Sequence, residues 1–571
     1  MDKPHRKNIL ASCQPSHAEI LSRLAEKNFQ KIKLRRKQIL NMNRGWKQGY
    51  RMKLIKESLN PPPAFGMHKK KESIEGLSNE KKAQLIASLL ETLKTDSTIL
   101  ENMIEKEVTY EVCNDKKEQC AESIISLRKI LQEESDKMFD DEEISIAQVF
   151  IKNKGVEILL PFLRFEYHEK ILKETLCCLA NLSMIAGQDR SNLKTIVPDL
   201  VSKIVDPSTL GKNLAQYLII VEFILVCFVF ILYDDDDTVH DVLTNIPNLG
   251  YISQLVRFKR ESLSVITCMF INISISLDPI IIPDFLRSDL ISDLIYGVKG
   301  NINIGREVIL IFSVISNMKW KIEEADGDDG WIKIADECLQ LIVEDKRVCN
   351  LLKDSMKLKH ITTIKPLLDF IGNLVNNTEC KLEEYLIKLP EFEEMINFCF
   401  ESESFTLVGS LLWAISSMMN NPSVVDYFVT NINMLEKITF SYLSHKDLIV
   451  QKEACITLFY CMSQNKSNIS IFNNEFSVRA ILESLDCSPQ ILPETVMAVF
   501  SIIDISCEEV SDIITVFQDN GVIEKINIIS EKFQTNSDIQ KFCNELLDKY
   551  FETKENDKEI FGQMQNYDMQ F

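Results

Sequence analysis

Apolar residues fall at helical spacing along most of this chain, and the stretches they define resemble one another. Lys173–Met184, KETLCCLANLSM, carries an apolar residue on every turn and holds Asn181 near its end. Variants follow at 263–275 (LSVITCMFINISI, with Asn272), 306–318 (REVILIFSVISNM, with Asn317) and 363–375 (TIKPLLDFIGNLV, with Asn373). Two more follow at 409–419 (GSLLWAISSMM) and 452–462 (KEACITLFYCM), where Ser417 and Tyr460 take the Asn place. Asn181 and Asn272 are 91 residues apart, close to two periods, and the later intervals are 45, 56, 44 and 43 residues.

A period in the forties with two or three helices per unit is the mark of an armadillo or HEAT solenoid. Gly155-Val-Glu-Ile-Leu-Leu-Pro-Phe-Leu163 opens the regular pattern, and similar phrases start at Gly250 and Gly521. A Gly before a repeat's second helix suits a tight turn and close packing. Between 79 and 147 two or three helices fit the period less well; Lys116–Glu134 has an apolar stripe and reads as the opening repeat, and Met138–Ile144 as an acidic loop. Residues 322–333, IEEADGDDGWIK, account for the long 56-residue interval as a loop insertion. The expected organisation is a basic segment at 1–56, a linker at 57–78 stiffened by Pro61-Pro62-Pro63, a solenoid of about ten repeats at 79–551, and a disordered tail at 552–571.

Leu214–Tyr233, LAQYLIIVEFILVCFVFILY, is long enough to span a bilayer. It also falls on the repeat phase, with Val229 at the Asn place, and Glu222 near its centre would be costly in lipid. A buried repeat helix is therefore expected, with Asp234–Asp237 as its solvated end, and a membrane-anchored solenoid is the alternative.

Composition fits a helix-rich fold too large for one ordinary core: 571 residues, 45% hydrophobic, with 17 Gly and 16 Pro. The 16 cysteines lie mostly in apolar helical runs without a CxxC pair, so they read as small hydrophobes in a reducing compartment. Charge is uneven. Residues 1–71 hold 18 Lys and Arg against 4 Asp and Glu, and the remaining 500 hold 46 against 80. A basic arm on an acidic body implies that each seeks an opposite charge, and the acidic body argues against direct nucleic-acid binding. The seven His have no zinc spacing, and there is no HExxH, Walker-type, GxGxxG or GxSxG motif. No enzyme activity, metal or cofactor is expected.

From His17 to about Arg51 the pattern is helical but poor in apolar positions and dense in basic ones, a helix stable chiefly against an acidic surface. Its core, Glu26-Lys-Asn-Phe-Gln-Lys-Ile-Lys-Leu-Arg-Arg-Lys37, resembles the importin-β-binding segment of the importin-α (karyopherin-α) family, and Gly372-Asn-Leu-Val375 and the terminal unit 518–551, ending Tyr550-Phe551, are similar to repeats of that family. The resemblance covers about residues 18–551 and implies an all-α, right-handed armadillo-repeat superhelical solenoid with a basic N-terminal helix. It implies a nuclear import adaptor working in cytoplasm and nucleus. An importin-β-like carrier would take Arg23, Lys31, Lys33, Arg35, Arg36, Lys37 and Arg44, and an export receptor would engage the C-terminal repeat. The family's Lys-Arg-Arg run after this helix, which mimics cargo, is replaced by Met42-Asn43-Arg44.

In that family the third helices line a groove in which Asn side chains clamp cargo backbone and a Trp one turn earlier slots the stems of cargo lysines. Carried over, basic peptide cargo would meet Asn181, Asn272, Asn317, Asn373, Trp413 and Ser417, with Asp234 beside the carboxylate that pairs with a cargo lysine. The Trp ladder is thin: Cys177, Leu225, Cys268, Ser313 and Ile456 stand where Trp recurs, Asp369 stands where the sixth repeat has Arg, and Trp413 alone is retained. A scaffold that has lost classical cargo and serves one dedicated protein partner is therefore the other expected reading.

Overall fold

The computed structural model describes residues 77–105, 110–136, 146–164, 169–232, 236–258, 260–277, 289–298, 301–316, 346–377, 382–430, 441–464, 474–486 and 490–551, with a few isolated positions between them. The described residues are helical, with no strand among them. They divide into two units that meet in sequence between Cys338 and Leu339.

In the first unit, α1 (Asn79–Glu105) packs on α2 (Tyr110–Asp136). The regular repeats follow: α3 (Ile146–Lys152), α4 (Gly155–Arg164) and α5 (Glu169–Ile185); a 3-10 segment (Gly187–Ile196), α6 (Val197–Val201) and α7 (Leu214–Ile231); α8 (Asp236–Asn245), α9 (Gly250–Gln254) and α10 (Glu261–Leu277). The unit closes with α11 (Leu290–Val298) and α12 (Ile302–Ser316). The long helices α2, α5, α7, α10 and α12 each pack against the next. Of these, α5, α7 and α10 carry apolar residues on more than one face because each has a long neighbour on both sides and shorter helices behind it.

The second unit repeats the scheme with α13 (Lys346–Met356), α14 (Ile361–Asn377), α15 (Leu382–Leu386), α16 (Pro390–Glu401), α17 (Phe405–Met418), α18 (Pro422–Thr430), α19 (Leu448–Gln464), α20 (Glu475–Glu483), α21 (Pro493–Glu509), α22 (Ser511–Asp519), α23 (Val522–Lys532) and α24 (Ser537–Leu546). Here α14, α17, α19, α21 and α24 form the stack. Short helices and a long third helix, one set per period, make each unit an armadillo-type solenoid of the all-α class.

Local chemistry sets the helix ends. Pro390, Pro422 and Pro493 open their helices, where a missing N–H has no helical partner to lose. Asn474 and Asn536 cap α20 and α24 through side-chain oxygens that accept backbone N–H groups. Gly521 precedes α23 at φ +79°, a turn conformation that a side chain would disfavour. Past α24 a π-turn, Leu547–Phe551, returns Tyr550 to α21, where its hydroxyl donates to Asp504 Oδ1 at 2.9 Å.

As far as they are described, the six runs that define the repeat lie in α5, α10, α12, α14, α17 and α19, all helices of the stacks; residues 317 and 318 lie outside the described residues. Helix α7 has the length and composition of a membrane span, but it lies between α5 and α10 with Val221–Val229 buried. Glu222, buried within it, pairs with Arg260 at the start of α10 at 2.5 Å. Asp236 and Asp237 open α8 rather than ending α7, while Asp234 and Asp235 lie outside the described residues. Eleven cysteines are described, all as free thiols, and all but Cys349 are buried. Burial pushes the Cys177, Cys399 and Cys461 thiols up to about 12, which keeps them neutral. The 138–144 and 322–333 segments, the residues before 77 and those after 551 lie outside the described residues.

Candidate functional site

The candidate residues sit on the long helices of the two stacks. In the first unit Asn181 lies on α5 and Asn272 on α10, with Val229 of α7 at the same phase between them. Asn181 is 1% exposed, and its Nδ2 donates to the Cys177 carbonyl one turn back at 2.9 Å. Asn272 is also buried, and its Oδ1 accepts from Ser276 Oγ at 3.3 Å. Both amides thus bond within their own helices. Asn317, Asp234 and the arm residues Arg23, Lys31, Lys33, Arg35, Arg36, Lys37 and Arg44 lie outside the described residues.

The second unit brings more of the set together. Lys365, Asp369 and Asn373 follow one another at four-residue steps on α14, which places them on one face. Lys365 and Asp369 pair at 3.0 Å, so this carboxylate already has a cation. Asn373 is buried one turn further along. On the neighbouring α17, Trp413 is 8% exposed. Its indole ring lies against the backbone of Gly372: a Cβ built on Gly372 would meet the six-membered ring within van der Waals contact. Ser417 Oγ donates to the Trp413 carbonyl at 2.9 Å and accepts from Asn376 Nδ2 of α14 at 2.9 Å.

Two of these partners were not singled out by repeat phase. Asn376 lies three residues beyond Asn373 on the same side of α14, and its amide joins two consecutive long helices. The second adjacent Asn in Gly372-Asn-Leu-Val-Asn376 was the available signal. Gly372 matters through Trp413, 41 residues away, and no local pattern contains that contact.

This face holds amides, a hydroxyl, an indole ring and an ion pair on two consecutive long helices. Among the described residues no group of three or more His, Cys, Asp or Glu is placed to hold a metal ion.

No protein-family profile matches the chain, and no curated protein matches it. Among solved structures the chain is similar to one reported under the words "A conserved phosphorylation switch controls the interaction between cadherin and beta-catenin in vitro and in vivo". Identity is 11%, with 86% of this chain and 99% of that chain covered and a TM-score of 0.45. It is also similar to a designed armadillo repeat protein, YIII(Dq.V1)4CPAF, in complex with the peptide (KR)4. There identity is 15%, 46% of this chain and 99% of that one are covered, and the TM-score is 0.34.

Proposed function

We propose that the protein is a non-catalytic protein-binding scaffold of the importin-α type. The observation that carries this reading is the phase relation: stacked long helices bear Asn181 and Asn272 in one unit, and Asn373 and Ser417 in the other, at one position per repeat, with Trp413 one turn before Ser417. In this reading the arm residues Arg23, Lys31, Lys33, Arg35, Arg36, Lys37 and Arg44 engage an acidic importin-β-like carrier. The long-helix faces receive a basic peptide of the cargo, with Asn317 and Asp234 as further contacts to it, and the repeat ending in Tyr550-Phe551 receives an export receptor.

The test is binding of the full chain to importin-β at physiological salt. Arg35→Ala with Arg36→Ala is expected to weaken it at least about tenfold, and raising salt to weaken it further, since exposed charge pairs are screened beyond about 8 Å at that ionic strength. Absence of binding by the unaltered chain overturns the carrier assignment.

A second reading, a scaffold with one dedicated partner in place of classical cargo, is favoured by one set of contacts. The Asn181 amide is bonded to its own helix, and Trp413 lies against Gly372 rather than framing an open slot. Titration of a basic signal peptide separates the two. Classical cargo binding requires an affinity that Trp413→Ala weakens, and a millimolar affinity indifferent to that change supports the dedicated partner.

A further inference from the structure

The middle of α14 reaches solvent through Lys365, Pro366 and Asp369, with Thr362 a turn before them and Asn376 two turns after. Ile364, Leu367, Leu368, Phe370 and Ile371 between them are buried. Steps of three and four residues put the solvent-reaching set in one stripe, with Asn373 buried in the same stripe. The stripe borders α17: the Trp413 ring rests on Gly372, three residues beyond Asp369, and Asn376 donates to Ser417. Its centre is therefore the Lys365–Asp369 ion pair, beside the side chains already described as the candidate face.

Helix stability gives little account of this pair. Lys precedes Asp, the less favourable order for an ion pair four residues apart on a helix. Both side chains are largely withdrawn from water, at 16% and 13% exposure, so each charge dominates what can approach the other. A ligand ammonium coming to Asp369 meets Lys365 as a like charge, and a ligand carboxylate coming to Lys365 meets Asp369. An uncharged amide meets neither repulsion. Its oxygen can accept from the Lys365 ammonium, which has three N–H donors, and its NH2 can donate to the Asp369 carboxylate. The backbone adds an acceptor: Pro366 has no N–H to give the Thr362 carbonyl four residues back, so that carbonyl lacks its ordinary helical partner.

We propose that Lys365 is the specificity-determining residue of the α14 layer: it keeps the lysines and arginines of a bound peptide off Asp369 and selects an uncharged amide side chain, Gln or Asn, at that point. The proposal rests on the peptide-binding reading of the long-helix faces and adds to it which residue a peptide places over α14. A basic peptide lying along this face carries its positive residues at other layers.

The test is fluorescence anisotropy of two labelled octapeptides, (Lys-Arg)4 and (Lys-Gln)4, titrated with the full chain. Lys365→Met keeps the aliphatic stem and removes the charge. It is expected to bind (Lys-Arg)4 about tenfold more tightly than the unaltered chain, because a like charge no longer guards the carboxylate. Adding Asp369→Asn is expected to abolish that gain. Affinity for (Lys-Gln)4, which can already present Gln to α14, is expected to change by about twofold or less. Lys357→Met, just past α13 and away from the stripe, removes the same charge from the second unit and is expected to give no comparable gain. An unchanged affinity for (Lys-Arg)4 in Lys365→Met, a gain that survives Asp369→Asn, an equal gain for (Lys-Gln)4, or an equal gain in Lys357→Met overturns the proposal and leaves the peptide-binding reading in place. Absence of binding of either peptide by all of these proteins overturns that reading, and the proposal with it.

Discussion

A methyl group on Gly372 has no room, because the Trp413 indole already occupies the space a Cβ would enter. Alanine is the better helix former by about 1 kcal/mol, but overpacking a rigid ring against backbone costs about 1–3 kcal/mol. Gly372→Ala should therefore lower stability rather than raise it, and it should shift the emission of Trp413; urea titration followed by fluorescence reads both. Tyr550 makes a contrasting case at the chain's other end. Burial, and then the negative charge of Asp504 beside it, push its phenol well above the ordinary tyrosine range. The unfolded chain releases this proton near pH 10 and the folded chain holds it, so the contribution is full below about 10 and is lost as pH rises beyond it. Tyr550→Phe should cost about 1 kcal/mol at neutral pH and leave a smaller alkaline loss of stability, checked by urea midpoints at about pH 7 and 11.

At the scale of the helix, α7 shows how a span-like sequence is kept in a protein stack. Its length and apolar content match a bilayer, yet its neighbours are α5 and α10, and Glu222 within it faces Arg260. Removing the cation leaves a buried carboxylate, while removing both charges restores an ordinary apolar contact. Arg260→Ala should destabilise the first unit by about 1–3 kcal/mol, less than for a fully buried pair because Arg260 is partly in solvent. Glu222→Met with Arg260→Ala should recover most of that loss in thermal melting. The helices themselves were legible in the sequence: the run in Lys173–Met184 and its relatives lie in long helices because a helix enclosed by neighbours must be apolar at helical spacing. The ends of α7 were less so. Asp236 and Asp237 start α8, and an acidic run marks a boundary without saying which helix owns it. The side-chain amides were not legible either. Repeat phase fixes the face on which Asn181 lies, but whether its amide turns outward or back to the Cys177 carbonyl is a rotamer choice made by tertiary packing.

For the whole molecule, charge divides function more clearly than composition does. The first 71 residues and the remaining 500 have opposite signs, so association through the arm should be salt-sensitive, whereas the stacks rest on apolar burial and should respond little to salt. The buried free thiols carry a further consequence. Cys120, Cys177, Cys227 and Cys268 sit in one unit, and Cys399, Cys455, Cys507 and Cys543 in the other, so most layers hold at least one masked sulfur. Each becomes reactive only when its own layer opens, because neutral, enclosed thiols are poor nucleophiles. The order in which an alkylating reagent tags them would therefore chart, layer by layer, where this chain begins to unravel and how far the opening spreads.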